Sequence, residues 1–280
     1  MALSMNRLLV IAGAVIFSCA ACSSTATTDA PPTATPPSSQ TTTAPSTLTP
    51  AGVRAELAHA HAVTALGDSV PYGTACGCAP YPQLSGADIA RIAGHRVTVS
   101  NDAVPGYTTA NVVRQIDRDG RAISDVRASE VVLLEIGAND VSYSSACGTK
   151  VSCYDKELPE ITSNLTTIVQ RIRALRNGSD LTTMLLDYWS VWLGGQYAAA
   201  HGEDYVKTAE QVTDQVNDII KSTAAETGSA YVDLRAAFKG PNYAYDETHY
   251  LSNDGDHPNA AGHQQIATAA EAVIENALHI

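Results

Sequence analysis

A serine, a histidine and an aspartate stand in this chain at positions that suit nucleophilic catalysis. Ser69 lies in the segment GDSV (67–70), directly after an apolar stretch, and Asp254 stands three residues before His257. A serine hydroxyl becomes a good nucleophile when a base takes its proton and a third group orients that base. The sequence therefore predicts Ser69 as nucleophile, His257 as base and Asp254 as the group that orients the imidazole. Asp256 competes with Asp254 for the last role.

Chemistry of this kind also needs donors for the negative charge that develops on a carbonyl oxygen. Asn139, in the segment GAND (137–140), carries a side-chain amide that can donate to such an oxyanion. Gly106 lacks a side chain, so its backbone N–H can approach the same oxygen. The N–H of Ser69, at the start of a following helix, is a third candidate donor. Each residue alone is ordinary in a turn, and the prediction depends on their combination.

Apolar, β-branched segments alternate with helical segments through the rest of the chain, which predicts a parallel sheet covered on both faces. The predicted strands are Ala62–Leu66, Arg96–Ser100, Glu130–Ile136, Leu181–Asp187 and Ala230–Leu234. The predicted helices are Tyr81–Ile92, Thr108–Arg118, Leu158–Arg176, Asp204–Thr227 and Ala260–Ala277. We expect an α/β fold, a three-layer α/β/α sandwich around a five-stranded parallel sheet. If the strands have the common order 2-1-3-4-5, ligands bind beyond the carboxyl ends of strands one and three, where Ser69 and Asn139 stand.

The combination resembles the SGNH, or GDSL-like, hydrolase family. The resemblance covers about Val63 to Ala270 through four blocks in order: GDSV (67–70), Gly106 after strand two, GAND (137–140) and DGDHPN (254–259). Two positions depart from the family pattern, because Val70 replaces the usual leucine and Tyr107 replaces a small residue. The Gly-x-Ser-x-Gly motif of α/β-hydrolases is absent around the serine.

This resemblance implies a flavodoxin-like sandwich and an esterase or lipase that works without a metal or another cofactor. It implies a catalytic set of Ser69, Asp254 and His257, and an oxyanion hole formed by Ser69, Gly106 and Asn139.

The first 55 residues predict export and a tether. Leu8–Phe17, a ten-residue apolar segment after Arg7, is too short to span a bilayer comfortably and is typical of a signal peptide, here residues 1–22. Cys22 resembles the lipidated cysteine of a bacterial lipoprotein, and ordinary cleavage near Ala21 is the alternative. Residues 23–55, rich in Ser, Thr, Ala and Pro, predict a disordered tether to a hydrolase domain at 56–280. We expect a secreted protein or a membrane lipoprotein.

Four further cysteines predict disulfides in an exported domain. Sequence alone allows three connectivities, but Cys147 and Cys153 close a short loop easily, which leaves Cys76 and Cys78 as a tight ring. A zinc site formed by the two pairs is the alternative.

The charge of the chain limits its partners. The formal net charge is −12, and the 280 residues include 17 Lys and Arg with no run of them, which argues against nucleic acid and against an anionic membrane surface. We expect a monomer that binds a small-molecule or saccharide ester and contacts the membrane only through its lipid anchor.

The leading hypothesis is a serine esterase that hydrolyses short-acyl or acylated-sugar esters through an acyl-serine intermediate. Three aromatic residues follow strand four and could wall the site or equally pack under a loop: Tyr188, Trp189 and Trp192. A cell-envelope acyltransferase with the same residues is the nearest alternative. A Mg²⁺ enzyme for phosphoryl chemistry would instead use a carboxylate cluster, and a silent sugar-binding lipoprotein would use none of the catalytic set. The carboxylates of that cluster are Asp68, Asp140, Asp187 and Asp233.

Overall fold

The computed structural model describes residues 59–177 and 181–278 of the chain. The predicted signal peptide, Cys22 and the tether lie outside these residues. Within the two described ranges, no helix has the length and apolar character needed to cross a bilayer.

Five parallel strands form one sheet in the order β2-β1-β3-β4-β5. The strands are β1 Ala62–Gly67, β2 Thr98–Asn101, β3 Val131–Glu135, β4 Thr182–Leu186 and β5 Ala230–Val232. This confirms the predicted fold class and strand order. All residues of β3 and β4 are buried, as expected for central strands of a parallel sheet with helices on both faces.

Helices connect the strands and form the outer layers. They are α1 Ser69–Tyr72, α2 Tyr81–Ala93, α3 Thr109–Arg118, α4 Gly120–Ala128, α5 Val151–Tyr154, α6 Leu158–Leu175, α7 Gly195–Ala199, α8 Glu203–Thr227, α9 Leu234–Lys239 and α10 Ala260–Leu278. Helices α2, α9 and α10 pack together, and α3, α6 and α8 pack side by side. Every long helix predicted from the sequence is present, and each end lies within one residue of its predicted position.

Apolar periodicity explains how the long helices attach to the sheet. Ile266, Ala270 and Ile274 of α10 are all buried, as their spacing of four residues predicts. Thr108 is the N-cap of α3, and its backbone N–H donates to Asn111 Oδ1 at 3.0 Å.

Helix α4 was not predicted from the sequence. Asp119 ends α3 and also caps α4, because its carboxylate accepts from the backbone N–H of Arg121 at 2.9 Å. An aspartate N-cap satisfies the free N–H groups of a first turn, so the chain begins a second helix where the first one ends.

Candidate active site

The end of β1 holds Ser69 at the sheet edge where ligands bind. Gly67 has φ +147°, and a Cβ there would collide with the carbonyl oxygen of Glu135 on the neighbouring strand, so only glycine fits. Asp68 is the N-cap of α1 and accepts from the Val70 N–H at 3.0 Å. Ser69 is therefore the first residue of α1, directly beyond the carboxyl end of the strand.

A cavity of about 50 Å³ opens beside this serine. Ser69, Asn139 and His257 all line it, together with Asp68, Ser142 and the segment 188–191. The fold thus brings three side chains predicted from distant parts of the sequence to one small cavity.

The loop before α10 holds the histidine and its carboxylate. His257 Nδ1 lies 2.8 Å from Asp254 Oδ2, and the His257 backbone N–H donates to Asp254 Oδ1 at 3.1 Å. The Asp256 carboxylate lies 4.0 Å from Nε2, on the other side of the ring. Asp254 is therefore the carboxylate placed to fix the imidazole tautomer, with Nε2 left for proton transfer.

Hydrogen bonds keep the Asp254 carboxyl ionised. Desolvation raises its pKa, but the hydrogen bonds from the backbone and side chain of His257 and from the Asp256 backbone outweigh this and lower the pKa below its ordinary value. A permanent negative charge at Nδ1 stabilises an imidazolium, which is the state that a base reaches after it takes the serine proton.

Asn139 lies in the 3₁₀ turn Ala138–Val141 that follows β3. Its side-chain Nδ2 donates to the Tyr107 carbonyl at 2.9 Å, so the loops after β2 and β3 touch. Asp140 connects the same two regions of the chain by hydrogen bonds. Its carboxylate accepts from the backbone N–H and the hydroxyl of Thr109 at 2.9 and 2.6 Å. The amide of Asn139 keeps a second N–H, which suits an oxyanion donor.

Gly106 does not line the cavity. It lies in the loop after β2 with φ +79°, is exposed, and has no atom within 4 Å of where a Cβ would stand. Of the three predicted oxyanion donors, the cavity brings together Ser69 and Asn139, while Gly106 stands next to the Tyr107 carbonyl that Asn139 binds.

The sequence offered Asp68 as a possible magnesium ligand and did not predict that its carboxyl is buried beside the serine. Asp68 is 1% exposed, and its Oδ2 accepts from the Tyr188 hydroxyl at 2.7 Å. Burial raises the pKa of Asp68 to about 6, and the bonds from Tyr188 and Val70 only partly offset this effect. Burial also raises the pKa of Glu135, at the end of β3, well above its ordinary value. Tyr188 lies 120 residues from Asp68 in the sequence, so no local sequence pattern predicts their contact.

Two of the three aromatic residues after β4 line the cavity. Tyr188 and Trp189 do so, whereas Trp192 packs away from it, which is the alternative that the sequence left open. Trp192 Nε1 donates to the Val141 carbonyl at 2.7 Å, and its ring contacts three tyrosines. The tyrosines are Tyr143, Tyr154 and Tyr205.

The cysteines are paired as the simplest loop closures suggest. The structure joins Cys76 to Cys78 and Cys147 to Cys153, with Cα separations of 5.1 and 5.6 Å. In this oxidised state, the thiolates required for a zinc site shared by both pairs are absent.

Hydrogen bonds occupy the carboxylates of the alternative Mg²⁺ site. Asp187 accepts from the Tyr231 hydroxyl and the Leu234 N–H, and Asp233 caps α9. Asp68 and Asp140 bind the protein groups described above. These four residues do not form a group of possible metal ligands in the described part of the chain.

Residues 65–265 match the sequence pattern of the GDSL-like lipase/acylhydrolase family. The chain belongs to this family. It is therefore a serine hydrolase of carboxylic esters, and the predicted resemblance is confirmed.

Solved structures share the fold. The chain resembles a lipase from a goat rumen metagenome, Lip_vut3, with a TM-score of 0.60 and 19% identity over 76% of this chain and 96% of that one. It also resembles Axe2 of Geobacillus stearothermophilus, described as an acetylxylan esterase, with a TM-score of 0.55 and 20% identity over 76% and 94%. TesA gives a TM-score of 0.53 and 17% identity over 78% and 99%. No curated protein sequence matches the chain.

Proposed function

We propose that this GDSL-like hydrolase removes short acyl groups, acetyl above all, from saccharide esters. The cavity beside Ser69 carries this proposal. It measures about 50 Å³, and a single water needs about 10–15 Å³ by such a measure, so the cavity holds about three to five water-sized groups. An acetyl group has that size, and Val191 is one of the side chains that bound the cavity.

Ser69, His257 and Asp254 would carry the reaction. The Ser69 oxygen attacks the carbonyl carbon while its proton passes to His257, and that proton then leaves with the alcohol. Water attacks the acyl-serine next, gives a proton to His257 and releases the free acid as Ser69 regains its hydrogen. The Asn139 amide and the Ser69 backbone N–H would bind the oxyanion in both steps.

The charge of the chain and one similar structure support a saccharide as the alcohol portion. Tyr188 and Trp189 are 1% and 2% exposed and line the acetyl-sized cavity, so they bound the acyl portion and leave no ring face for a sugar. The net charge of −12 disfavours polyanionic esters. Axe2, one of the similar structures, is described as acting on acetyl-xylooligosaccharide, which makes acetylated xylo-oligosaccharides the first substrates to test.

A series of p-nitrophenyl esters of increasing acyl length, run beside acetylated xylo-oligosaccharides, tests the proposal. Acetate should have the highest kcat/KM, with a steep fall beyond butyrate. Val191→Ala enlarges the cavity and should shift the preference toward longer acyl chains. Val206→Ala is the matched control, because Val206 lines a different cavity on α8. A wild-type preference for octanoate or longer would contradict the proposal.

The product analysis separates hydrolysis from acyl transfer. We expect release of free acetate with or without a sugar acceptor, and insensitivity to EDTA. Acylated acceptor as the main product would instead establish the acyltransferase alternative.

We also propose that residues 1–22 direct export, that Cys22 carries a lipid, and that residues 23–55 tether the domain to the membrane. Cys22→Ser should release the protein from the membrane fraction, and Cys19→Ser is the matched control that should leave it there. A soluble wild-type protein whose N-terminus begins at residue 22 without lipid would refute the anchor and favour ordinary secretion.

A further inference from the structure

One acid in the cavity beside Ser69 has no hydrogen-bond donor. Two carboxylates line this cavity, those of Asp68 and Asp256, and none of the described residues that line it is a lysine or an arginine. The Asp68 carboxylate accepts from the Val70 N–H and the Tyr188 hydroxyl. The Asp256 carboxylate accepts no hydrogen bond from the part of the chain that the structure describes. Its distance of 4.0 Å from the imidazole Nε2 is too long for a hydrogen bond.

Backbone hydrogen bonds hold Asp256 at the cavity. Gly255 has φ +74°, and its carbonyl accepts from the Gly194 N–H at 2.9 Å. The Asp256 N–H donates to Asp254 Oδ1 at 3.1 Å, so the carboxylate that orients the imidazole also holds this turn. The Asp256 side chain is 52% exposed, which leaves it open to a substrate. Asp256 is therefore an accessible acceptor on a well-held loop.

The charged form of Asp256 lacks stabilising partners. Desolvation raises the pKa of its carboxyl and the charge of Asp254 adds to this effect, although His257 acts against both. A carboxylate in this position gains from any group that donates a hydrogen bond to it, because a charged acceptor makes a stronger hydrogen bond than a neutral one. A bound substrate can supply the donor that the described residues do not.

The leaving oxygen of an ester comes close to Asp256. His257 Nε2 gives its proton to this oxygen, so the two atoms approach to about 3 Å. Asp256 Oδ2 lies 4.0 Å from the same nitrogen, which leaves no more than about 7 Å between the leaving oxygen and the carboxylate. A hydroxyl on the adjacent carbon of the alcohol lies about 3 Å from the ester oxygen, and its hydrogen bond spans about 2.7 Å more, so it can reach Asp256.

We propose that Asp256 selects esters whose alcohol portion carries a free hydroxyl on the carbon next to the esterified one, and that its carboxylate accepts a hydrogen bond from this hydroxyl. Asp256 is thereby a specificity-determining residue. This inference rests on the proposed function, because a saccharide offers such a hydroxyl beside an acetylated position. A neighbouring hydroxyl that is itself acetylated cannot donate, so partly acetylated saccharides should be better substrates than fully acetylated ones.

Three small acetates test the proposal with the wild-type protein. 2-Hydroxyethyl acetate has the required hydroxyl, 2-methoxyethyl acetate replaces the hydroxyl hydrogen by a methyl group, and propyl acetate replaces the whole hydroxyl by a methyl group of similar size. The kcat/KM of the hydroxy ester should exceed that of each other ester by about 10-fold, as a hydrogen bond to a charged group allows. Equal values for the three esters would refute the selection.

Variants separate this contact from any effect of Asp256 on the imidazole. Asp256→Ala removes the acceptor and should bring the ratio of hydroxy to methoxy ester to about one, while Asp256→Asn keeps an uncharged acceptor and should give an intermediate ratio. A change in His257 would alter the rates of both esters alike and cancels in the ratio. Asp204→Asn removes an exposed charge on α8 and is the matched control that should keep the wild-type ratio.

The outcomes distinguish this inference from the proposed function. A wild-type ratio in either Asp256 variant would show that Asp256 does not select the hydroxyl, whatever the preferred acyl length. A wild-type preference for p-nitrophenyl octanoate over p-nitrophenyl acetate would instead contradict the short-acyl function, whatever the ratio of the hydroxy and methoxy esters.

Discussion

Replacing Asp68 by asparagine should make the protein more stable relative to wild type as the pH rises. Asparagine retains an oxygen that can accept from the Val70 N–H, and its amide can donate to the Tyr188 hydroxyl. The substitution therefore removes a buried negative charge and keeps a hydrogen bond to each partner, with the direction of the bond to Tyr188 reversed. Asp68 lies next to Ser69, the proposed nucleophile. The result therefore also measures the free-energy cost of a buried carboxylate beside the site.

The magnitude follows from the pKa of Asp68. In the unfolded chain this carboxyl ionises near 3.8, whereas burial raises its pKa to about 6 in the folded protein. The folded state therefore holds the proton more tightly between these values, and the free energy of unfolding falls as the pH rises from about 4 to about 6 and is flat above. The difference of about two between these pKa values corresponds to about 3 kcal/mol of unfolding free energy. About 2 kcal/mol of this is lost between pH 4 and pH 8.

Urea unfolding of wild type and Asp68→Asn at pH 4 and pH 8, with both disulfides intact, measures this difference. The stability of the variant relative to wild type should be higher at pH 8 by about 2 kcal/mol. Asp204→Asn removes an exposed charge and serves as the control for a change in net charge. An Asp68→Asn effect that is the same at both pH values would refute the burial argument.

Three further predictions concern the catalytic loops and the cysteines. Asn139→Ala should lower kcat by about 10²- to 10³-fold with little change in KM, because we propose that its amide binds the oxyanion and not the ground-state carbonyl. Raised KM with unchanged kcat in steady-state assays would contradict this. Asp254→Asn should lower kcat more than Asp256→Asn, because Asp254 alone lies on Nδ1 of His257; the reverse order would show that the wrong carboxylate has been chosen. Intact-mass analysis should find four thiols in the domain only after reduction, since both disulfides including Cys147–Cys153 are closed; four alkylated thiols in the native exported protein would exclude them.

The elements and the main site could be predicted because their signals are local. The buried strands are continuous apolar segments, so β3 and β4 stand out in the sequence, and the order of the chemical blocks follows the strands. Ser69 and Asn139 follow neighbouring strands of a parallel sheet, so the topology alone brings them to one edge.

Contacts between distant segments account for what the sequence did not predict. The place of Gly106 depends on how Asp140 and Asn139 hold the loop after β2, and no periodicity describes that loop. Tyr188 reaches Asp68 from 120 residues away. Trp192 packs away from the cavity, where its indole N–H donates to the Val141 carbonyl.

The burial of His263 could have been predicted from spacing. The structure places this residue on α10 with its side chain completely buried. His263 lies three residues before Ile266, and residues three and four apart share a helix face. The spacing that predicted the buried face of α10 therefore included this histidine.

The most direct test of the account is the covalent labelling of the serine. A fluorophosphonate should add once to the wild-type protein, and peptide mapping should find the label on Ser69. Ser69→Ala should abolish both labelling and ester hydrolysis, whereas Ser142→Ala, which changes another serine of the same cavity, should retain both. A label on a different serine, with hydrolysis intact in Ser69→Ala, would contradict the central claim.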